Sequence, residues 1–237
     1  MSKKVIFCFT FAGGTASFYD KLNILADENI ELVKLDYPGH GTRYREKLCS
    51  NFDEVSEILY PIIKEHVISH EEISYSLLGY SMGSIAVFSM LQHIKEKAEI
   101  KEPVSVFIAA HEPLTRFDFL GIPAEQMDEA VKQRTIEFGA VPADLIENKA
   151  FWRMYLPIYK ADYLMIARYN FSECKFRTKV PTTIFFSEDD TRYEDMKLWK
   201  NYYIGDCQFI EYSGPHFFIN EHYEEMAEVI KKRMENL

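Results

Sequence analysis

The chain has 237 residues, 47% of them apolar, which suits one domain with an elaboration and a sizeable core, and its 10 glycines and 9 prolines set aside fibrous and disordered classes. Its formal net charge of −10 argues against nucleic acid as a main partner, because phosphate binding needs clustered basic side chains, and points to plain solubility. Four cysteines, Cys8, Cys49, Cys174 and Cys207, show neither C-x-x-C spacing nor clustering with histidine, so they read as reduced thiols of a cytoplasmic protein, with no metal site.

The opening Met1-Ser2-Lys3-Lys4 and the apolar Val5–Phe9 have the outline of a signal peptide. The apolar run is too short and no small-x-small cleavage site follows it, so Val5–Phe9 reads as a buried first strand. Ala16–Ala26 reads as a helix, Glu31–Leu35 as a strand and Phe52–Val67 as a helix with apolar residues at helical intervals. Ser74–Leu78 is a strand candidate, Ile85–Ile94 a helix and Val104–Ala109 a strand. After an interval the alternation resumes: Thr182–Phe186 strand, Tyr193–Tyr203 helix, Gln208–Tyr212 strand, Glu221–Met234 helix. Strands alternating with helices imply an α/β fold, a mostly parallel twisted sheet covered by helices on both faces with right-handed crossovers. No repeat or low-complexity tract is present, and no apolar stretch is long enough to span a bilayer.

The interval from Pro113 to Lys179 breaks this rhythm and reads as helices rich in Phe, Tyr, Met and Leu. An insertion there lies over the carboxyl edge of the sheet, where ligands bind, and reads as a lid or as a plain extra helical layer. No Pro/Gly/Ser linker sets it apart, so residues 1–237 read as a single domain with a lid insertion at about 113–179.

Gly79-Tyr80-Ser81-Met82-Gly83 matches G-x-S-x-G. The pattern alone is common, but here strand Tyr75–Leu78 runs into it and helix Ser84–Ile94 leaves it, the strand–turn–helix of a nucleophile elbow in an α/β-hydrolase. Ser81 is the candidate nucleophile. A serine hydroxyl needs a base to take its proton and donors to stabilise the oxyanion. One donor should be the N–H of Met82, the residue after the nucleophile. The other should come from the loop after the first strand, Thr10-Phe11-Ala12-Gly13-Gly14, with Phe11 preferred; Gly13-Gly14 also reads as a simple tight turn.

Seven histidines compete for the role of base. His66, His70 and His93 lie in or beside polar helical stretches and read as surface residues, and His222 as a residue near the cap of the last helix. His40 follows a strand in Asp36-Tyr37-Pro38-Gly39-His40-Gly41 and could line the site. His216 is best placed, in Ser213-Gly214-Pro215-His216 between the last strand and the last helix, since the catalytic histidine comes last in this fold. The acid that orients it should follow strand Thr182–Phe186, in Ser187-Glu188-Asp189-Asp190. Asp190, furthest along the loop, is preferred, with Asp189 second and Glu112 a rival.

With these residues in place, the whole chain resembles the type II thioesterases of nonribosomal peptide and polyketide synthesis and, more distantly, their fatty-acid-synthase relatives. Phe9-Thr10-Phe11-Ala12-Gly13-Gly14 is similar to the family's Pro-aromatic-Ala-Gly-Gly opening, and Tyr37-Pro38-Gly39-His40-Gly41 and the elbow follow in order. Phe138–Asn148 is similar to its Gly-Gly-x-Pro-x-x-Leu segment, and Leu156–Tyr163 to its Leu-Pro-x-x-Arg-x-Asp signature, which ordinary esterases lack. The family's acid lies in a Gly-x-x-Asp turn, and Ser187-Glu188-Asp189-Asp190 matches that register at Asp190. Thr10 stands for the usual Pro, Ser187 for the Gly of the acid turn and Lys160 for the usual Arg, which keeps the charge without the planar fork. Tyr80 for a frequent His and Ser84 for a common Gly bear on pocket shape and hence acyl preference.

The resemblance implies hydrolysis of acyl or aminoacyl thioesters from the phosphopantetheine arm of acyl or peptidyl carrier proteins, clearing wrongly loaded arms, with no metal or redox cofactor. Lys175, Arg177 and Lys179, the densest basic cluster, are a candidate patch for the carrier protein or a merely solubilising connector. A stand-alone carboxylesterase or lipase and a non-catalytic binding module on the same scaffold are the alternatives.

Overall fold

The structure, a computed structural model, describes residues 3–69, 73–114 and 119–235. His70 and residues 115–118 of the insertion lie outside them. Six strands form one sheet: β1 (Lys3–Phe9), β2 (Ile30–Leu35), β3 (Ile73–Tyr80), β4 (Ser105–Ala109), β5 (Thr182–Phe186) and β6 (Cys207–Glu211). They pair in the order β2-β1-β3-β4-β5-β6, and every pair is parallel. The inner strands β1, β3, β4 and β5 are largely buried, as a doubly covered parallel sheet requires, whereas the edge strands β2 and β6 carry charged residues and are only partly covered. Along β1, Val5, Phe7 and Phe9 enter one core and Ile6 and Cys8 the other.

The first core packs the sheet against α1 (Phe52–Ile68) and α2 (Met82–Lys97), and extends into the insertion. The second packs it against residues Ala16–Leu25 and α6 (Ile219–Glu235). Helix α1 starts on a reciprocal cap: the Asn51 side chain accepts from the Glu54 N–H at 2.9 Å, and the Glu54 carboxylate accepts from the Ser50 N–H at 2.8 Å. The insertion carries α3 (Ala124–Glu137) and α4 (Lys149–Arg168), with 3₁₀ turns around them and no strand among its described residues. No helix among the described residues is long and apolar enough to cross a membrane.

Three elements differ from the sequence reading. Ala16–Leu25 is a 3₁₀ helix rather than an α-helix. Its buried residues, Tyr19, Leu22 and Leu25, recur every three positions, the period of a 3₁₀ turn, and the Tyr19 hydroxyl donates to the Phe9 carbonyl at 2.7 Å. The span from Tyr193 is a short α5 (Tyr193–Met196) followed by 3₁₀ turns, as buried Trp199 directs its indole N–H to the His111 carbonyl at 2.7 Å. His93 is buried, not at the surface: α2 is enclosed on most sides, and the ring lies 4.9 Å from Tyr60.

The chain passes from β1 outward to β2, then back across to β3. This reversal is the topological switch point of an open α/β sheet, and it leaves a crevice between the loops that follow β1 and β3. Those loops carry Phe11 and Ser81.

Candidate active site

Ser81 ends β3 and begins α2 with φ 54° and ψ −119°, a conformation that costs a non-glycine residue about 1–3 kcal/mol and must be over-determined by its surroundings. The surroundings supply this. A Cβ on Gly79 would lie 2.2 Å from the Gly83 carbonyl oxygen, and one on Gly83 2.0 Å from the Phe9 carbonyl oxygen, so only glycines let the strand, helix and neighbouring β1 approach this closely. The Ser81 N–H donates to the Ala109 carbonyl at 2.8 Å, and the Ser84 hydroxyl donates to the same oxygen at 2.9 Å.

His216 follows β6 and is 7% exposed. Its Nε2 lies 3.0 Å from Ser81 Oγ, and its Nδ1 lies 3.0 Å from each oxygen of the Asp190 carboxylate. That arrangement fixes the tautomer: Nδ1 donates to Asp190, which leaves Nε2 as the acceptor for the serine proton. The two rival acids stand elsewhere in the site. Asp189 Oδ2 accepts from the Gly214 N–H at 3.0 Å, and Glu112, also buried, accepts from the Thr191 hydroxyl at 3.4 Å. Ser187, in the place of the family's glycine, donates to the Gly214 carbonyl at 2.5 Å, so the acid loop and the base loop are tied by backbone contacts beside the Asp190–His216 pair.

Tyr80 and Ser84 do not line the cavity, contrary to the expectation that they would bear on its shape. The Tyr80 hydroxyl, fully buried, donates to the His216 carbonyl at 2.6 Å, and its ring stacks on Phe217 with 7° between planes. The residue before Ser81 therefore anchors the backbone of His216. Ser84 joins the elbow to β4.

A cavity of about 570 Å³ opens over Ser81. The sheet side contributes Phe11, Ala12, Ala110 and Phe217 beside the polar groups, and the insertion contributes Arg134, Phe138, Ala140, Tyr163, Ile166 and Ala167. Phe138, just past α3, has its ring centre 4.3 Å from that of His216 and 3.7 Å from the Arg134 guanidinium. Burial lowers the pKa of the Arg134 guanidinium and of the neighbouring His111. Met82 is the first residue of α2, so its N–H has no carbonyl within the helix four residues back and stays at the positive end of the helix dipole beside Ser81. Phe11 opens a turn closed by the Gly14 N–H on the Phe11 carbonyl at 3.0 Å.

His40 does not line this cavity. It is buried against Asp162 of α4, an ion pair with both side chains at most 3% exposed. The sequence reading quoted both residues within family-like segments without joining them, because 122 positions separate them and neither segment hints at the other. Phe138 was likewise only part of a quoted segment.

Comparison with known proteins agrees with the geometry. The family model of the thioesterase domain matches residues 4–234. The chain is 24% identical to the gramicidin S biosynthesis protein GrsT of Aneurinibacillus migulanus, over 98% of this chain and 90% of that one. It is 27% identical to the medium-chain S-acyl fatty acid synthase thioesterase of Homo sapiens, over 90% of this chain and 80% of that one. Among solved structures it superposes on ClbQ from the colibactin NRPS/PKS pathway with a TM-score of 0.86 at 24% identity, covering 99% and 98% of the two chains. The chain belongs to the thioesterase domain family, hydrolases that act on thioesters, on the α/β-hydrolase fold.

Proposed function

We propose that this thioesterase is of type II and hydrolyses acyl or aminoacyl thioesters on the phosphopantetheine arm of carrier proteins, with Ser81 as nucleophile, His216 as base, Asp190 as the orienting acid and the Phe11 and Met82 amides as oxyanion donors. The observation that carries this reading is the unbroken run of 3.0 Å hydrogen bonds from Asp190 through His216 to Ser81 at the floor of the cavity.

As Ser81 Oγ attacks the thioester carbonyl carbon, His216 Nε2 takes its proton and Asp190 stabilises the imidazolium without accepting the proton. The carbonyl oxygen becomes an anion, and each well-placed amide donor to it is worth about 2.7–4 kcal/mol of barrier. Collapse of the tetrahedral intermediate breaks the C–S bond, and the thiol leaves with the proton from His216. Water then attacks the acyl-serine ester with His216 again as base, which releases the acid and restores Ser81. The whole chain reads as one domain, and the insertion as a lid whose apolar underside shelters the acyl group.

The carrier protein enters from the company the chain keeps: relatives named for gramicidin S biosynthesis and fatty acid synthesis, and a structural neighbour from an NRPS/PKS pathway. The four cysteines are unpaired with one another, in keeping with a reducing compartment, and we place the enzyme in the cytoplasm. Docking has to be local, because the chain's net charge of −10 offers an acidic carrier no long-range attraction. In the basic cluster, Arg177 is engaged: its guanidinium lies 4.5 Å from the Tyr202 ring centre and donates to the Cys174 and Phe176 carbonyls. Lys175 and Lys179 are exposed and are the better candidates.

The test compares an acyl-carrier protein with the matching acyl-pantetheine. The expected result is a higher kcat/KM on the carrier, and a Lys175→Glu/Lys179→Glu variant that narrows the gap while leaving acyl-pantetheine turnover unchanged. Equal efficiency on both substrates would remove the carrier protein and favour a stand-alone esterase.

A further inference from the structure

Helix α4 does more than roof the cavity, because its Asp162 reaches the loop that carries Phe11. Asp162 Oδ2 accepts from the Gly13 N–H at 2.7 Å and pairs with His40 Nε2 at 2.9 Å. His40 Nδ1 faces the Pro38 carbonyl at 3.0 Å. A carbonyl and a carboxylate both accept, so each ring nitrogen carries a proton and His40 is an imidazolium. Burial by itself would lower the pKa of His40, but the Asp162 carboxylate, the Pro38 carbonyl and the nearby Asp36 outweigh it, and the group stays above the ordinary histidine value. An isolated charge buried this deeply would be very costly, and the pair holds only because each partner neutralises the other.

The geometry around Gly13 shows what the pair is attached to. Gly13 is the third residue of the turn Phe11–Gly14, with φ 73°, where a type II turn calls for glycine. Two α4 side chains one turn apart close on it. Tyr159 covers its Cα so tightly that a Cβ there would lie 2.1 Å from the ring, and Asp162 takes its amide. One peptide, Phe11–Ala12, separates the Ala12–Gly13 link from the Thr10–Phe11 peptide that carries the Phe11 N–H, and the turn bond from the Gly14 N–H to the Phe11 carbonyl fixes that intervening peptide.

We propose that Asp162, paired with His40, is a positioning residue for the oxyanion loop: it pins Gly13, sets the direction of the Phe11 N–H, and thereby couples the seating of α4 to the strength of the oxyanion hole. This inference rests on the reading of Phe11 as an oxyanion donor. An acyl group that holds α4 in place strengthens the hole, and one that lifts α4 weakens it, so the fit of the acyl group under the insertion acts on kcat.

An acyl trifluoromethyl ketone tests this directly, because Ser81 adds to it as a hemiketal whose oxygen mimics the oxyanion and whose ionisation is read by ¹⁹F NMR. Asp162→Asn keeps the size and one acceptor oxygen but removes the charge that holds the His40 proton. We expect the hemiketal oxygen of the folded variant to ionise about one pH unit higher than in the wild type. On acyl-pantetheine, kcat should fall about ten- to a hundredfold while KM moves by less than about twofold. His40→Gln should shift both readouts the same way by a smaller amount. Melting temperature and near-ultraviolet circular dichroism separate folding from function: a lower Tm with an unchanged hemiketal titration, in either variant, overturns the proposal. Failure of the underlying reading looks different, since the ketone would then form no adduct with the wild type or bind Ser81→Ala equally well.

Discussion

The cavity has two walls, and they are held in place by different means. On the sheet side, Phe11, Ser81 and Asp190 sit just beyond the largely buried strands β1, β3 and β5, and His216 lies beyond the edge strand β6. Their loops are cross-tied by hydrogen bonds to backbone carbonyls: the Ser81 N–H to Ala109, the Ser187 hydroxyl to Gly214 and the Tyr80 hydroxyl to His216. On the other side, Asp162 pins α4 to Gly13 and His40, while Tyr163 with Thr135 and the Lys160–Asp128 ion pair at 2.8 Å tie α4 to α3. The first wall carries Ser81, His216 and Asp190, and the second supplies much of the cavity lining opposite them.

The sharpest way to break this comparison is to mutate the acid loop. Asp190→Asn keeps the geometry but presents the wrong tautomer to Ser81, and should lower kcat by about 10⁴-fold. Asp189→Asn touches only the Gly214 N–H and should stay within about tenfold of the wild type. A reversal of the two results would move the acid to Asp189 and contradict the geometry of the sheet-side wall.

A smaller effect is expected behind the base. Tyr80→Phe removes one buried hydroxyl and leaves the His216 carbonyl without its donor. Stability should drop by about 1–2 kcal/mol in chemical denaturation, and kcat should fall several-fold with KM unchanged. An unchanged kcat would mean that Phe217 and Phe218 packing alone places the base.

The smallest effect concerns motion. Hydrogen exchange should show amides of α3 and α4 opening more readily than those of β1, β3 and β4, because their seat has fewer buried contacts. Equal protection would make the insertion a fixed layer rather than a lid.

Much of the sheet-side wall was legible in the sequence. Strand period, the glycines of the elbow and the chain order of serine, acid and histidine are local signals, and each projects onto a single place in a parallel sheet. The helical reading of Ala16–Ala26 missed a 3₁₀ spiral, although apolar residues at 19, 22 and 25 repeat every three positions. His93 was misplaced because its polar neighbours in α2 hid how completely that helix is enclosed. The insertion wall was legible only as helical and aromatic. The Asp162–His40–Gly13 link joins three segments far apart in sequence, and the Tyr80 hydroxyl meets a backbone atom, which no residue pattern marks. Pairings of this kind depend on tertiary packing rather than on any period.

The central claim is that Ser81 is the nucleophile, and covalent capture tests it most directly. Treatment with a fluorophosphonate, followed by intact-mass measurement and peptide mapping, should show one adduct per chain on the peptide that contains Ser81. The Ser81→Ala protein should remain unlabelled and lose thioester hydrolysis by roughly 10⁴- to 10⁶-fold. A full-stoichiometry adduct on any other residue, or hydrolysis persisting in a folded Ser81→Ala protein, would contradict the account.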